Sequence, residues 1–175
     1  AVLSEAGTGA GALGAVVAGV GPGPYTGLRV GLVTAVSLGH ALGVPTYGVC
    51  SLDGIGAAST APGRLVAATD ARRREIYWRV YEFGAPLTDP AVNQPAAVAE
   101  QLAALGVTRA AGDGATRYAA ELRLDPDEPR YPDPLVLARV AADRIRAGAP
   151  TEPLTPLYLR RPDAAEPGTR KPVLR

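Results

Sequence analysis

Apolar positions in the first third of the chain follow the order strand, loop, helix, strand. Residues 16–20 form a short apolar run with β-branched side chains, which is typical of a buried parallel strand. Glycine and proline fill residues 21–24 and break regular structure, and the apolar stretch at residues 26–42 then predicts a helix. Gly43 is expected to end that helix in the left-handed conformation, and residues 46–49 are the next strand. The segment is therefore predicted to be a βαβ unit.

Short helices are predicted on either side of this unit from their end signals. Residues 1–6 have a helix-forming composition and stop at Gly7. Thr26 is the expected N-cap of the long helix, because its hydroxyl can accept a hydrogen bond from a free backbone N–H. Ser51 is the expected N-cap of a short helix at residues 52–59. The first part of the chain therefore has the order helix, strand, helix, strand, helix.

The second part of the chain begins with a pattern that is typical of a β-hairpin. Residues 64–69 and 75–83 have strong strand propensity, and a period of two places Ile76, Trp78 and Val80 on one face. The elements expected after the hairpin are a strand at 86–92, a helix at 95–105, a strand at 107–111, a turn at 112–114, a helix at 116–123, a helix at 134–146 capped by Asp133, and an extended segment at 153–160.

The two parts of the chain repeat one order of elements, which predicts a duplicated α/β fold. The second part has the order ββ(β)αβα, and the first part has the same order without its leading strands. Two such units make the actin-like (ribonuclease H-like) fold. We expect a first, N-terminally incomplete lobe at residues 1–60, a second lobe at residues 61–160 and a flexible tail at residues 161–175. About 50–60 residues are expected to precede Ala1, because three strands, their turns and a helix need that length.

Composition limits the chemistry that the chain can carry. Apolar residues make up 47% of the chain, which is enough for a core, and the net charge of +1 demands no polyanionic partner. Cys50 and His40 are the only residues of their kinds, which excludes an intrachain disulfide and a two-histidine or multi-cysteine metal site. Low cysteine content favours a cytoplasmic protein, and the long apolar helix is too short for a membrane span.

The loop before the long helix, together with the first helical turn, is a candidate anion site. Free N–H groups and the helix dipole favour an anion at such an N-terminus. The residues concerned are Gly21, Gly23, Tyr25, Thr26, Gly27 and Arg29. Their spacing matches neither the Walker motif nor G-x-G-x-x-G, so a tight strand-to-helix connection is the alternative. Arg29 is unfavourable at the positive end of the dipole, which predicts an acidic partner within the chain or a partner across an interface.

The long helix itself is a candidate interaction surface. Gly31, Ala35 and Gly39 recur every four residues and form a stripe that another backbone can approach closely. Leu28 and Leu32 belong to the other sides of the helix, which is apolar nearly all round. The sheet covers one side, so the other side is expected to meet a neighbouring helix, a partner protein or a second copy of the chain.

Two turns of the second part form a candidate nucleotide site. Asp70 and Arg72 lie at the tip of the hairpin, which holds phosphate in active actin-like ATPases and there has glycine where Arg72 stands. Gly112 and Asp113 follow a strand, at a point where such folds often contact a nucleoside. A solvated hairpin tip and an ordinary turn are the alternatives. No carboxylate pair or complete Cys–His arrangement is evident, so no catalytic residue is expected.

The most specific motif is GPGPYTGLR at residues 21–29, which continues as GHALGVPTYGVCSLDGI at residues 39–55. Two shorter motifs support it: DARRREIY at residues 70–77 and PLYLR at residues 156–160. Together these stretches resemble the TsaB (YeaZ) family, in an arginine-rich version that is similar to actinobacterial members. The resemblance implies an actin-like fold that has lost ATPase chemistry.

This resemblance also implies a function. TsaB is a non-catalytic scaffold subunit in bacterial synthesis of N6-threonylcarbamoyladenosine (t6A) in tRNAs that read ANN codons. It pairs with the transferase TsaD, the ATPase TsaE joins them, and tRNA is contacted indirectly. The pairing uses two helices that match Val2 and Leu3 and the helix at residues 26–42. ATP or ADP is expected only within the complex, and no metal or membrane is expected. A homodimer through the same helix, a weak actin-like ATPase and a peptidase are the alternatives.

Overall fold

The computed structural model describes residues 2–59 and 62–160, and its strands form two β-sheets. The strands are β1 (Val16–Gly19), β2 (Thr46–Val49), β3 (Arg64–Asp70), β4 (Ile76–Glu82), β5 (Ala85–Pro86), β6 (Ala91–Asn93), β7 (Val107–Ala111) and β8 (Pro126–Asp127). The α-helices are α1 (Val2–Glu5), α2 (Tyr25–Leu42), α3 (Asp53–Gly56), α4 (Pro95–Ala104), α5 (Asp113–Arg117), α6 (Ala119–Leu122) and α7 (Pro134–Arg146), and a short 3₁₀ helix spans Ala10–Ala12. The predicted tail at residues 161–175 lies outside the described residues.

The first sheet consists of β1 and β2, which pair in parallel with Val16 opposite Thr46. Helix α2 connects the two strands, which confirms the predicted βαβ unit. This helix covers one face of the sheet, and α7 covers the other face. Tyr47 and Val49 of β2 pack there against Ala141 of α7, so the sheet is enclosed between two helices.

The chain that follows α7 returns to the first sheet. The N–H of Glu152 donates to the carbonyl of Thr46 at 2.9 Å, and the N–H of Leu157 donates to the carbonyl of Val20 at 2.7 Å. Helix α7 and this segment belong to the predicted second lobe, yet they complete the core of the first sheet. The division of the chain into lobes stays a prediction, and its boundary at residues 60–61 lies outside the described residues.

Helix α2 begins one residue earlier than the sequence predicts. Its first residue is Tyr25 and its capping residue is Pro24, which makes no side-chain hydrogen bond to the helix. Thr26 already lies in the first turn, so the prediction that Thr26 caps the helix is wrong. Gly43 takes the left-handed conformation with φ +66°, which confirms the predicted helix end.

Ser51 does not cap the short helix that follows β2. Helix α3 spans only Asp53–Gly56, and Leu52 precedes it without a side-chain cap. The Oγ of Ser51 instead accepts a hydrogen bond of 3.0 Å from the N–H of Gly21. A hydroxyl at the end of a strand can bind a neighbouring loop as readily as a helix end, and here it joins the loops after β1 and β2.

The second sheet has the strand order β5-β4-β3-β7-β8, and β6 also pairs with β4. Strands β3 and β4 are antiparallel with Asp70 opposite Ile76, which confirms the predicted hairpin. Strand β7 is parallel to β3, and β8 is parallel to β7. The single strand predicted at residues 86–92 is divided between β5 and β6. No alternating pattern predicts β8, because it has only two residues and one of them is proline.

Helices cover both faces of the second sheet. Ile76, Trp78 and Val80 are buried on the face that α4, α5 and α6 cover, which confirms that these three residues share one side. Helix α3 covers the opposite face, where Ile55 and Tyr81 are fully buried. The α/β class predicted from the sequence is therefore confirmed.

Helix α5 begins directly on the backbone of β3. Gly112 has φ +109°, and a Cβ at this residue would lie 2.1 Å from the carbonyl oxygen of Ala68. A Cβ at Gly114 would lie 2.7 Å from the carbonyl carbon of Thr69. Residues 112–114 are therefore not an isolated turn, since α5 starts at residue 113, and glycine is required because no side chain fits between the helix and the strand.

We expect Gly112→Ala to destabilise the fold by about 3 kcal/mol, because it adds a steric clash to an unfavourable left-handed backbone. Gly106→Ala is the matched control, since Gly106 also has φ +65° but a Cβ there would meet no atom within 4 Å. The control should lose only about 1 kcal/mol. Urea unfolding of the two variants measures the difference, and equal losses would contradict the steric explanation.

Candidate functional site

One side of α2 is buried against the first sheet. Leu32, Ala35 and Gly39 are buried on this side, and Leu28 is half-buried beside them. A Cβ at Gly39 would lie 2.5 Å from the methyl group of Thr46. These residues serve close packing on the chain's own sheet and are not available to a partner in this fold. The prediction of one continuous docking stripe of small residues is therefore wrong.

The opposite side of α2 is apolar and exposed. Val30 and Val33 are 63% and 66% exposed, and Val36 and Leu38 are 47% and 40% exposed. A Cβ at Gly31 would meet no atom within 4 Å, so Gly31 belongs to this open side. These five residues are called the outer face of α2. The helix contains no acidic residue, so the outer face has no negative charge of its own.

A groove lies beside the outer face, between α2 and the segment that follows α7. It has a volume of about 330 Å³ and a largely apolar lining. Val33 and Val36 form part of the wall on the helix, and Leu154, Pro156 and Tyr158 belong to the opposite wall. The apolar surface therefore continues from the helix onto a segment more than a hundred residues later in the chain.

Arg29 stands at the end of this groove and has aromatic partners. Its Nε donates a hydrogen bond of 3.0 Å to the hydroxyl of Tyr158, and its guanidinium lies 4.1 Å from the ring centre of Tyr25. The rings of Tyr25 and Tyr158 stack with their centres 5.4 Å apart. The hydrogen bond to Tyr158 raises the pKa of Arg29. Within the chain, Arg29 therefore contacts two tyrosines and not an acidic residue.

The glycine-rich loop is bound tightly within the chain. The N–H of Gly21 is used by Ser51, and a Cβ at Gly21 would lie 3.1 Å from the carbonyl oxygen of Leu157. Gly23 and Gly27 face open space, because a Cβ at either position would meet no atom within 4 Å. These contacts favour the interpretation as a tight connection, and anion binding at this loop stays a prediction.

Helix α1 buries none of its residues. Val2 is 77% exposed and Leu3 is half-buried. The apolar surface of this helix is therefore open, as the predicted pairing requires. The role of Val2 and Leu3 at an interface stays a prediction.

The four residues of the candidate nucleotide site lie at one end of the second sheet. Asp70 ends β3 and Arg72 follows it, while Gly112 and Asp113 follow β7, which is parallel to β3. Gly112 is required by the packing of α5 on β3, so its presence needs no nucleotide. The close approach of helix and strand therefore explains why glycine follows this strand. A role in nucleotide binding stays a prediction for all four residues.

The carboxylate of Asp70 already has partners within the chain. It accepts hydrogen bonds from Arg117 at 3.2 Å and from the hydroxyl of Tyr118 at 3.4 Å. Burial and then the charge of Asp70 raise the pKa of Tyr118, which therefore remains a hydrogen-bond donor at neutral pH. No local sequence pattern predicts these contacts, because Arg117 and Tyr118 are far from Asp70 in the sequence.

A buried polar cluster that the sequence does not predict joins α3 to the second sheet. Asp53, whose side chain is 14% exposed, accepts hydrogen bonds from Arg79 at 2.9 Å and from the hydroxyl of Tyr81 at 2.6 Å. Burial and then the charge of Asp53 raise the pKa of Tyr81 and that of the Cys50 thiol. The cluster keeps the thiol protonated and therefore unreactive at neutral pH. The alternation of side chains in β4 could have indicated part of this cluster, because it places Arg79 and Tyr81 together on the face opposite Ile76.

The described part of the chain offers no arrangement for a metal ion or a membrane span. Residues 2–59 and 62–160 contain no group of three or more histidine, cysteine, aspartate or glutamate side chains that could hold a metal. Over the same residues, no helix has the length and apolar character needed to cross a bilayer.

A family model described as "TsaD: tRNA N6-adenosine threonylcarbamoyltransferase" matches residues 1–162. The chain belongs to this family. The resemblance to its TsaB (YeaZ) members is confirmed by the relatives and by the solved structures below. The actin-like fold predicted from the order of elements is confirmed by the same comparisons.

The relatives of this TsaB-like chain differ in sequence identity and in how much of each protein is aligned. The Mycobacterium tuberculosis protein Rv3421c is 48% identical over 94% of the chain and 72% of its own length. The Mycobacterium leprae protein ML0378 is 47% identical over 87% of the chain, which spans only 39% of that protein. The Escherichia coli tRNA threonylcarbamoyladenosine biosynthesis protein TsaB is 33% identical over 46% of the chain and 36% of its own length.

A solved structure of YeaZ from Pseudomonas aeruginosa has the same fold. It superposes with a TM-score of 0.76 at 29% sequence identity, covering 90% of this chain and 79% of YeaZ. The chain spans well under two thirds of the length of several of these relatives. The activity and partners of the whole protein are therefore proposed below and not assigned here.

The two glycines on opposite sides of α2 should respond differently to substitution. Gly31→Leu should stabilise the chain by about 0.5–1 kcal/mol, because the side chain enters open space and leucine favours helix more than glycine. Gly39→Leu should destabilise it by about 3 kcal/mol, because the side chain would overlap Thr46. Thermal unfolding followed by circular dichroism measures both. A loss of stability in Gly31→Leu would contradict the assignment of the two sides.

Proposed function

We propose that the chain acts as a TsaB-type scaffold in synthesis of t6A in tRNA, and that it pairs with TsaD through the outer face of α2. Relatives named for threonylcarbamoyladenosine biosynthesis support the pathway. The observation that carries the pairing is the exposed apolar surface on an 18-residue helix. Such a surface is uncommon on a protein that acts alone. In this proposal the protein works in the cytoplasm with TsaD and TsaE.

The shape of the outer face suits a helix of a partner. Its valines are exposed and Gly31 has open space around it, and Val33 and Val36 also line the apolar groove. Glycine at Gly31 lets a second backbone approach, while Val30 and Val33 offer apolar area. Burial of a valine side chain contributes about 1.5 kcal/mol or more, so a few such residues can hold a complex.

The contacts of two partly buried carboxylates support a non-catalytic role. Asp70 is bonded to Arg117 and Tyr118, and Asp53 is bonded to Arg79 and Tyr81. Carboxylates that already have partners in the chain are poor candidates for acid–base work. In this proposal TsaD performs the transfer to tRNA, and any ATP or ADP binds within the complex.

A charge on the outer face should abolish the complex with TsaD. Val33→Asp places a carboxylate at a position that is 66% exposed in the free chain, so folding should be unaffected. Burial of that charge at an interface should weaken affinity for TsaD at least about 100-fold. Co-purification and titration calorimetry with TsaD measure the effect, and Val140→Asp on α7, at 40% exposure, is the matched control.

Two results would overturn this proposal. Undiminished binding of TsaD by Val33→Asp would show that the interface lies elsewhere. A wild-type homodimer in light scattering that Val33→Asp dissociates, while TsaD binding persists, would assign the outer face to self-association instead.

A further inference from the structure

The tip of the β3–β4 hairpin has an unusual backbone. Three consecutive arginines, Arg72, Arg73 and Arg74, have φ values of +61°, +53° and +58°. Residues other than glycine, asparagine and aspartate rarely adopt this left-handed conformation, which costs roughly 1–2 kcal/mol for each residue. Asparagine or glycine would fit the turn better. The three arginines therefore stand in a backbone conformation that does not favour them, which points to a role for their charge.

Two acidic residues beside this tip, Asp70 and Glu75, already have arginine partners within the chain. Asp70 is paired with Arg117, whose side chain is still 64% exposed. Glu75 is paired with Arg160, which also donates to the carbonyl of Ala71 at 3.1 Å.

Arg72 and Arg74 add further positive charge to this end of the sheet. Both are exposed, and neither forms an ion pair with any residue that the structure describes. Together with Arg117, they place three exposed guanidinium groups at this end of the second sheet.

The surroundings of the tip suit phosphate better than a protein partner. Protein interfaces have an apolar centre, but no large exposed apolar side chain of the described residues lies within 70–75 or 113–118. Contacts to a nucleic-acid backbone need no apolar centre and depend on arginine and lysine. Guanidinium groups also bind phosphate oxygens in a bidentate way.

We propose that the hairpin tip, through Arg72 and Arg74 with Arg117 beside them, binds the phosphate backbone of tRNA without reading its sequence. This inference rests on the proposed function, because it adds a direct tRNA contact to a subunit that the family resemblance connects with tRNA only indirectly. The outer face of α2 and the hairpin tip lie on different sheets, so one subunit can hold TsaD and touch the same tRNA.

The test uses the full chain, alone and with TsaD, and an unmodified tRNA transcript labelled for fluorescence anisotropy. Arg72→Asn with Arg74→Asn removes two charges while favouring the left-handed turn, so thermal stability should not fall. Affinity for tRNA should fall about tenfold, and the slope of log affinity against log salt should decrease by about two. Co-purification with TsaD should be unchanged.

The matched control removes two exposed arginines elsewhere, Arg123→Asn with Arg139→Gln. Arg123 is also left-handed, with φ +57°, so the backbone effect is reproduced away from the tip. This control should change tRNA affinity less than about twofold. An equal loss in the control, undiminished binding by the Arg72 and Arg74 variant, or no binding of tRNA by the wild-type chain in either form would overturn the inference.

Competition separates the alternatives for the tip. Displacement of tRNA by ATP at an equal phosphate concentration would assign the arginines to a nucleotide, and stronger displacement by poly-glutamate would assign them to an acidic protein. Either result overturns the inference. The variant Val33→Asp separates the two proposals. If this variant still binds TsaD while the tip variant no longer binds tRNA, the proposed function fails and the tRNA contact stands. If Val33→Asp no longer binds TsaD and the tip variant still binds tRNA normally, the proposed function stands and the tRNA contact fails.

Discussion

Close packing of α2 on the two-stranded first sheet is the constraint on which the rest of this structure depends. The contact is possible because Gly39 has no side chain where the methyl group of Thr46 lies. Leu32 and Ala35 lie on the same buried side as Gly39. Val30, Val33 and Val36 lie on the exposed side of the helix. Because the helix is apolar on nearly all sides, this packing leaves an apolar surface exposed on its outer side.

A second close approach, between α5 and β3, determines the arrangement of charged residues at the hairpin end of the second sheet. Gly112 and Gly114 allow α5 to start against the backbone of β3, and this brings Arg117 beside Asp70 at the end of the strand. The carboxylate is neutralised within the chain, and Arg72 and Arg74 beyond it are exposed. The apolar and basic surfaces thus lie on different sheets, as the proposed contacts with TsaD and tRNA require.

Long-range contacts from α7 and the segment that follows it complete both surfaces. Helix α7 closes the second face of the first sheet, and Tyr158 both lines the groove beside α2 and holds Arg29. Arg160, two residues further on, is paired with Glu75 at the hairpin tip. One short segment therefore contacts the apolar surface and the basic surface, although neither is near it in sequence.

The sequence by itself determined most of the elements. Alternation in β4, the glycine that ends α2 and the prolines in the first turns of α4 and α7 are local signals. Local hydrogen bonding and sterics enforce them wherever the segment lies. Which side of α2 is buried, what Ser51 binds and which partner Arg29 takes were decided only by the tertiary structure. Each of these depends on residues that folding brings from distant parts of the chain, and a stripe of small residues serves equally well for packing on its own sheet or on a partner.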